Sequence, residues 1–257
     1  MYKLKKFAVL NSVQEPFSNK LPTQKDLIYH DDYESLNIKL NSKNYRCDEF
    51  SDNHNGLHIL FSGCSVTYGT GLLEDEVWSK KLYNKIKEET KVSGYFNLAI
   101  PASNIFEIVI NIFRYISNFG KPDAIFVCWP SIRRYDIKLN GREKEICYGV
   151  YEIDFIDDFY HTAKLHSFHY ILMLEEYCKA NNIDLYTFSY DQKLFKEVKL
   201  NRVFLGQNDN LVNGIAKVCM DSNKREYMLK ARDNSHYGEA YHIYWSDFCY
   251  SLYKEKK

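Results

Sequence analysis

The sequence predicts an α/β protein: a three-layer α/β/α sandwich built on a central parallel sheet. Three observations carry this. Apolar runs of strand length alternate with segments of helical period along most of the chain. The run Ala124-Ile-Phe-Val-Cys-Trp129 is apolar throughout, as a parallel strand covered on both faces requires. The first clear strand stops at Ser62-Gly63 and passes through a turn of small residues into a helix, the punctuation of a βαβ unit. Strands connected in this way pair in parallel through right-handed crossovers.

The elements follow in order. Residues 1–55 carry no clean period; Pro16, Pro22, Asn19 and Asp31-Asp32 mark an irregular lead-in. We expect residues 1–43 to form an appendage and 44–257 to form one α/β domain. Leu57–Phe61 is the first strand. Leu72, Leu73, Val77, Trp78, Leu82, Tyr83 and Ile86 recur at helical spacing and predict a helix over about 74–91. Tyr95–Ile100 is a second short strand, stopped by Pro101. Ala102-Ser103-Asn104 reads as a turn with an N-cap, and Ile105, Ile108, Val109, Ile112, Phe113 and Ile116 predict a helix to about Phe119. Gly120-Lys-Pro-Asp123 separates it from the central strand 124–129. Residues 131–160, polar, acidic and aromatic, read as a long excursion over the active face. His161–Asn181 is a helix, Ile183–Ser189 a fourth strand, and 190–232 is ambiguous, with a short strand candidate at Arg202–Leu205. A closing helix runs from His236 to about Lys254.

Composition sets the outer bounds. The chain has 257 residues, of which 45% are hydrophobic, enough for a sizeable core. Lys+Arg and Asp+Glu are both 34, so no global field favours nucleic acid or an anionic membrane. The seven cysteines are scattered and form no C-x-x-C, which argues against a disulfide framework and a zinc site and for a reducing compartment. The N-terminal apolar run is only four residues, too short for a secretory core, and no run reaches transmembrane length. A cytoplasmic protein is expected.

The chemistry lies at two places. Ser65 follows the first strand, at the carboxyl edge where open α/β sheets bind ligands, and backbone N–H groups at such a turn can face a developing negative charge. A serine hydroxyl needs a base, and the base an orienting acid. Asp233-Asn-Ser-His236 supplies both at the entrance to the last helix. Each of these residues has a plainer reading: Gly-Cys-Ser in a turn is commonly structural, Asp233 can be an N-cap, and His236 a solvent-facing helix residue. His242 reads as a helix-flank residue. His161, His166 and His169 lack a partner set at metal-ligand spacing. The charged run Lys80, Lys81, Lys85, Lys87, Glu88 and Glu89 reads as a solvated helix face. A phosphate loop is disfavoured, because the glycines at 63, 69 and 71 come without Gly-Lys-Ser/Thr or Gly-x-Gly-x-x-Gly.

These residues resemble the SGNH/GDSL hydrolase superfamily. Gly63-Cys64-Ser65-Val66-Thr67 is similar to its Gly-Asp-Ser block, with Cys64 in the aspartate place, and Asp233-x-x-His236 to its last block. Asn97-Leu-Ala-Ile-Pro-Ala102 is similar to the second block, with Ala102 in the glycine place. In the third block the resemblance departs: the stretch after the central strand reads Trp129-Pro130-Ser131-Ile132-Arg133, without the family's asparagine. Asn44-Tyr45-Arg46-Cys47-Asp48-Glu49 resembles the Arg-containing approach that some members carry. The resemblance spans residues 44–254 and implies a flavodoxin-like sheet and a serine esterase. In it Ser65 is the nucleophile, His236 the base and Asp233 the acid. The N–H groups of Ser65 and Ala102 and the Ser131 hydroxyl would hold the oxyanion. Read from the residues themselves, Trp129 is either a wall of the acyl pocket or buried packing, and Arg133 either a substrate contact or a partner of the acidic stretch Asp154–Asp158. The resemblance implies a small-molecule or glycan ester as substrate, and no metal or organic cofactor. Losing one oxyanion donor costs ~100- to 1000-fold in rate. The absent asparagine therefore keeps two alternatives open: a catalytically weak or inactive glycan- or protein-binding module, and an acyltransferase using the same triad.

Overall fold

In a computed structural model of the chain, the described residues are 38–131, 134–139, 142–147, 156–189, 230–233 and 236–256. They form an α/β fold around a four-stranded sheet. The elements are β1 (Ile59–Gly63), α1 (Ser65–Tyr68), a 3-10 turn (Glu74–Glu76), α2 (Trp78–Glu89), β2 (Phe96–Asn97), α3 (Ile105–Phe119) and β3 (Ala124–Trp129). Then come β4 (Arg134–Leu139), β5 (Arg142–Cys147), α4 (Ile156–Ala180), β6 (Asp184–Ser189) and α5 (Glu239–Glu255). The sheet order is β2-β1-β3-β6, all parallel, with Gly63 level with Cys128 and Cys128 level with Phe188.

The alternation of side chains along each strand makes the layers. Ile59, Phe61, Phe126, Cys128, Tyr186 and Phe188 face one core, closed by Trp78, Leu82 and Ile86 of α2 and by Trp245, Cys249 and Tyr253 of α5. Leu60, Ile125, Val127 and Trp129 face the other, closed by Ile108, Val109 and Ile112 of α3 and by Phe168, Ile171 and Leu174 of α4. Both faces of the sheet are covered, which is why the strands read as unbroken apolar runs.

Helix boundaries follow local chemistry. The expected helix 105–119 is α3, started by a reciprocal capping box: Glu107 N–H donates to Asn104 Oδ1 and Asn104 N–H to Glu107 Oε2, both at 2.9 Å. The helix expected from 74 starts later. Val77 is extended and divides it into the 3-10 turn and α2. Strand Tyr95–Ile100 shortens to Phe96–Asn97 because beyond it only single bonds reach β1, Leu98 N–H to Phe61 O and Ile100 N–H to Gly63 O. The last helix starts at Glu239 rather than 236; Tyr237 is instead paired with Lys230 in an antiparallel bridge. The excursion after β3 contains an antiparallel hairpin, β4–β5, and α4 begins at Ile156 rather than 161. The strand candidate Arg202–Leu205 and residues 1–37 lie outside the described residues.

The segment 41–50 packs on the free edge of β2. Asp48 N–H donates to Tyr95 O and its carboxylate accepts from Tyr95 N–H at 2.8 Å, while Tyr45 and Phe50 enter the second core. This covers a sheet edge that would otherwise present unpaired backbone.

Candidate active site

β1 and β3 are the neighbours from which the chain leaves in opposite directions: β1 connects through α2 to β2, β3 through α4 to β6. In a doubly wound sheet the crevice at the carboxyl ends of such a pair is where ligands sit. The residues that follow β1 and β3 are 64–71 and 130–131.

Gly63 ends β1 because nothing larger fits. A Cβ there would lie 2.2 Å from Thr67 Oγ1 and 2.8 Å from the Cys128 carbonyl. Cys64 then leads into α1, a single turn whose first residue is Ser65. Gly69 closes that turn in the left-handed conformation (φ 81°), with its N–H on Ser65 O at 2.9 Å. Four residues are too few to show a period, so α1 was not legible in the sequence. Ser65 is 5% exposed, and its hydroxyl faces Cys64 Sγ at 3.9 Å.

Asp233 and His236 meet. The Asp233 carboxylate accepts from the His236 backbone N–H at 3.0 Å through Oδ1, and Oδ2 is hydrogen-bonded to the ring Nδ1. A carboxylate on Nδ1 keeps the proton there and leaves Nε2 as the basic nitrogen. The Asp233 side chain is 4% exposed and the His236 side chain 25%. Their loop is docked on the turn that follows Ser65. Arg232 N–H donates to Gly71 O at 3.1 Å, and a Cβ on Gly71 would lie 3.0 Å from Asp233 Oδ1. The Arg232 guanidinium pairs with both oxygens of Glu76, holding that carboxyl below its usual range. The fold therefore brings the Asp233–His236 pair against the turn that follows Ser65. Among the described residues, Ser65 and His236 do not hydrogen-bond directly.

The second motif lies beside them. Ile100-Pro101-Ala102-Ser103 is a β-turn, with Ser103 N–H on Ile100 O at 3.3 Å and Ala102 at φ 69°. Proline second and a positive φ third describe a type II turn, whose third place favours glycine. The Ala102 N–H has no hydrogen-bond partner among the described residues. Asn97 ties this stretch to α1: its Nδ2 donates to Thr67 O at 2.9 Å and its Oδ1 accepts from Ala99 N–H at 3.0 Å.

After β3, Ser131 is half-buried, three residues beyond Cys128, which is level with Gly63. Trp129 is 3% exposed and belongs to the second core. Arg133 lies outside the described residues. His242 is buried, and its Nδ1 accepts the Trp78 N–H at 3.0 Å. It caps α2, rather than lying on a helix flank. His166 and His169 are exposed on α4, and among the described residues no group of three or more His, Cys, Asp or Glu stands close enough to hold a metal ion. None of the described helices is long and apolar enough to cross a membrane.

Sequence reasoning did not assign three residues that shape this site: Arg46, whose guanidinium donates to carbonyls of the turn after Ser65, Asn97, and Arg232. All three act through backbone carbonyls or a distant partner, which leaves no spacing pattern to read.

No family model and no curated protein matches the chain. Among solved structures it is similar to TesA, at 11% identity over 75% of this chain and 96% of that one, with a TM-score of 0.49. It is also similar to the psychrotrophic esterase EstA from Pseudoalteromonas sp., in a structure inhibited by monoethylphosphonate. That match has 14% identity over 77% and 96% of the two chains, with a TM-score of 0.49.

Proposed function

We propose that the chain is a divergent serine hydrolase of SGNH type, cleaving a small or carbohydrate-linked acyl ester. The observation that carries this reading is the Asp233–His236 hydrogen bond on a loop docked, through Gly71, against the turn that follows Ser65. In this reading Ser65 Oγ turns from Cys64 Sγ toward His236 Nε2 when substrate binds. The oxygen then attacks the acyl carbon while its proton passes to Nε2. As the tetrahedral intermediate collapses, the ester C–O bond breaks and that proton goes to the leaving alcohol. Water, deprotonated by the same nitrogen, releases the acid and restores Ser65. Asp233 orients the ring and stabilises the imidazolium. The Ser65 and Ala102 N–H groups and the Ser131 hydroxyl hold the oxyanion. Arg133 is assigned beside the substrate, whereas Trp129, buried in the second core, serves as packing.

Labelling with a fluorophosphonate serine probe tests this without a guess at the ester. Wild type is expected to label, and Ser65→Ala and His236→Ala are expected not to. Undiminished labelling of Ser65→Ala would overturn the assignment.

One observation favours a second reading, a binding module with little turnover: the Ser65 hydroxyl is engaged by Cys64 rather than by His236. A folded wild type that does not label but binds acetylated glycans would support it. Transfer of the acyl group to a second alcohol would use the same residues.

A further inference from the structure

We infer that Arg46 is a positioning residue for the nucleophile, acting through the turn after Ser65; this rests on the serine-hydrolase reading above. Arg46 is 3% exposed. Its Nη1 donates to the carbonyls of Tyr68 (3.2 Å) and Gly69 (2.9 Å), and its Nη2 to that of Leu72 (2.7 Å). The guanidinium also lies 5.6 Å from the centre of the Tyr68 ring. Among the described residues no carboxylate pairs with it.

Burying a guanidinium carries a desolvation cost, and a fold that needed only to fill this space would do so with an apolar side chain. What a planar fork of donors supplies is direction. Here all three acceptors belong to one stretch of five residues, 68–72, at the carbonyl end of the turn that begins with Ser65. That stretch has two other constraints. Gly69 N–H and Thr70 N–H both return to Ser65 O, so its path sets the orientation of the Ser65 peptide. Gly71, between the Arg46 acceptors, carries the contact with Asp233 and accepts from Arg232 N–H. One guanidinium therefore fixes the loop that the nucleophile and the acid–base pair share. Gly69 leaves it room: a Cβ there would come within 3.3 Å of Nη1, and within 2.2 Å of Val77.

The experiment compares wild type, Arg46→Lys and Arg46→Met. Probe labelling is resolved into a binding constant and a maximal rate, and hydrogen exchange is followed at the amides of 65–72. Lysine keeps the charge but has no fork, and methionine fills the space without charge. The expected result is that both variants fold and bind the probe within about threefold of wild type. The maximal rate falls at least tenfold, and exchange quickens at 65–72 before it does elsewhere. Either folded variant labelling at the wild-type maximal rate would overturn the inference, as would a loss confined to probe binding. An unfolded Arg46→Met with a fully active Arg46→Lys would also overturn it, making the residue a fold element only. If wild type fails to label, the serine-hydrolase reading falls, and the positioning role falls with it even if exchange at 65–72 quickens. The two failures are thus separable.

Discussion

Ala102 holds a backbone conformation that costs an L residue about 1–2 kcal/mol, and glycine little. Ala102→Gly removes that cost and loses part of it, about 0.4–1 kcal/mol, to the freer unfolded chain. The expected outcome in urea titration is a change from zero to about 1.6 kcal/mol in the stabilising direction. Destabilisation would show that the alanine methyl packs usefully. The N–H of residue 102 survives the change, so probe labelling should also survive it. Asp233 contributes differently. Its carboxylate holds the Nδ1 proton of His236, and an amide can present its N–H to that nitrogen and select the wrong tautomer. Asp233→Asn is expected to lower the labelling rate by roughly 10³- to 10⁴-fold, on the scale of such substitutions in serine proteases, with unfolding midpoints little changed. A rate within tenfold of wild type would mean that His236 is not the base.

At the scale of elements, the junction of α2 and α5 shows how one helix can cap another. Val77 has no side-chain oxygen to cap α2, and the Trp78 N–H is satisfied by His242 Nδ1 from α5 instead. Burial, with Lys81 and His236 nearby, lowers the His242 pKa to about 3, so the ring stays neutral and able to accept. His242→Phe keeps the volume and removes the acceptor. A loss of about 1–2 kcal/mol is expected, the range of a lost N-cap, with faster exchange at the Trp78 amide. The ion pairs along the same seam, Lys81–Glu239, Lys85–Asp247 and Lys254–Glu89, are partly exposed and contribute little each. Lys81 and Lys85 of α2 thus lie at the rim of a helix–helix contact, where the sequence suggested an open face.

For the whole molecule, buried titratable groups define a pH window. Burial, reinforced by the His54 ring stacked on it, lowers the His58 pKa to about 4; that of His242 falls to about 3. Unfolded histidine titrates near 6.5, so below that pH the unfolded chain binds more protons than the folded one. Stability is therefore full above about 6.5 and declines as pH falls toward 3–4. At the other end, burial raises the Cys178 thiol to about 12 and lifts Cys47 and Cys249 as well. Above the usual thiol value of about 9 the folded state binds more protons, and stability falls again as pH rises. Urea midpoints measured across pH should form a plateau between about 6.5 and 9. A midpoint that does not drop between pH 6.5 and 4.5 would mean that these histidines are not buried as described.

Much of this was legible from local pattern. Periods of two and 3.6 residues located the sheet strands and the longer helices, because burial on both faces leaves its mark residue by residue, as in 124–129 and 105–119. The Asp233–His236 pairing could be read from the sequence, because acid and base are defined by chemical type and stand three residues apart. What local pattern could not carry was anything settled by a distant partner. Val77 breaks the second helix, and the cap for its remainder comes from His242, 164 residues on. The second strand ends early because only single bonds reach β1. Arg46 stood out in the sequence only as part of a resemblance, and it has no evident role until the fold gathers three carbonyls around it. The sequence by itself determined the fold class and which residues could do chemistry, since both follow from residue type and spacing. Tertiary structure alone decided that Asp233 docks on Gly71, that Ser65 faces Cys64, and that one guanidinium holds the turn, because these depend on backbone groups every residue shares.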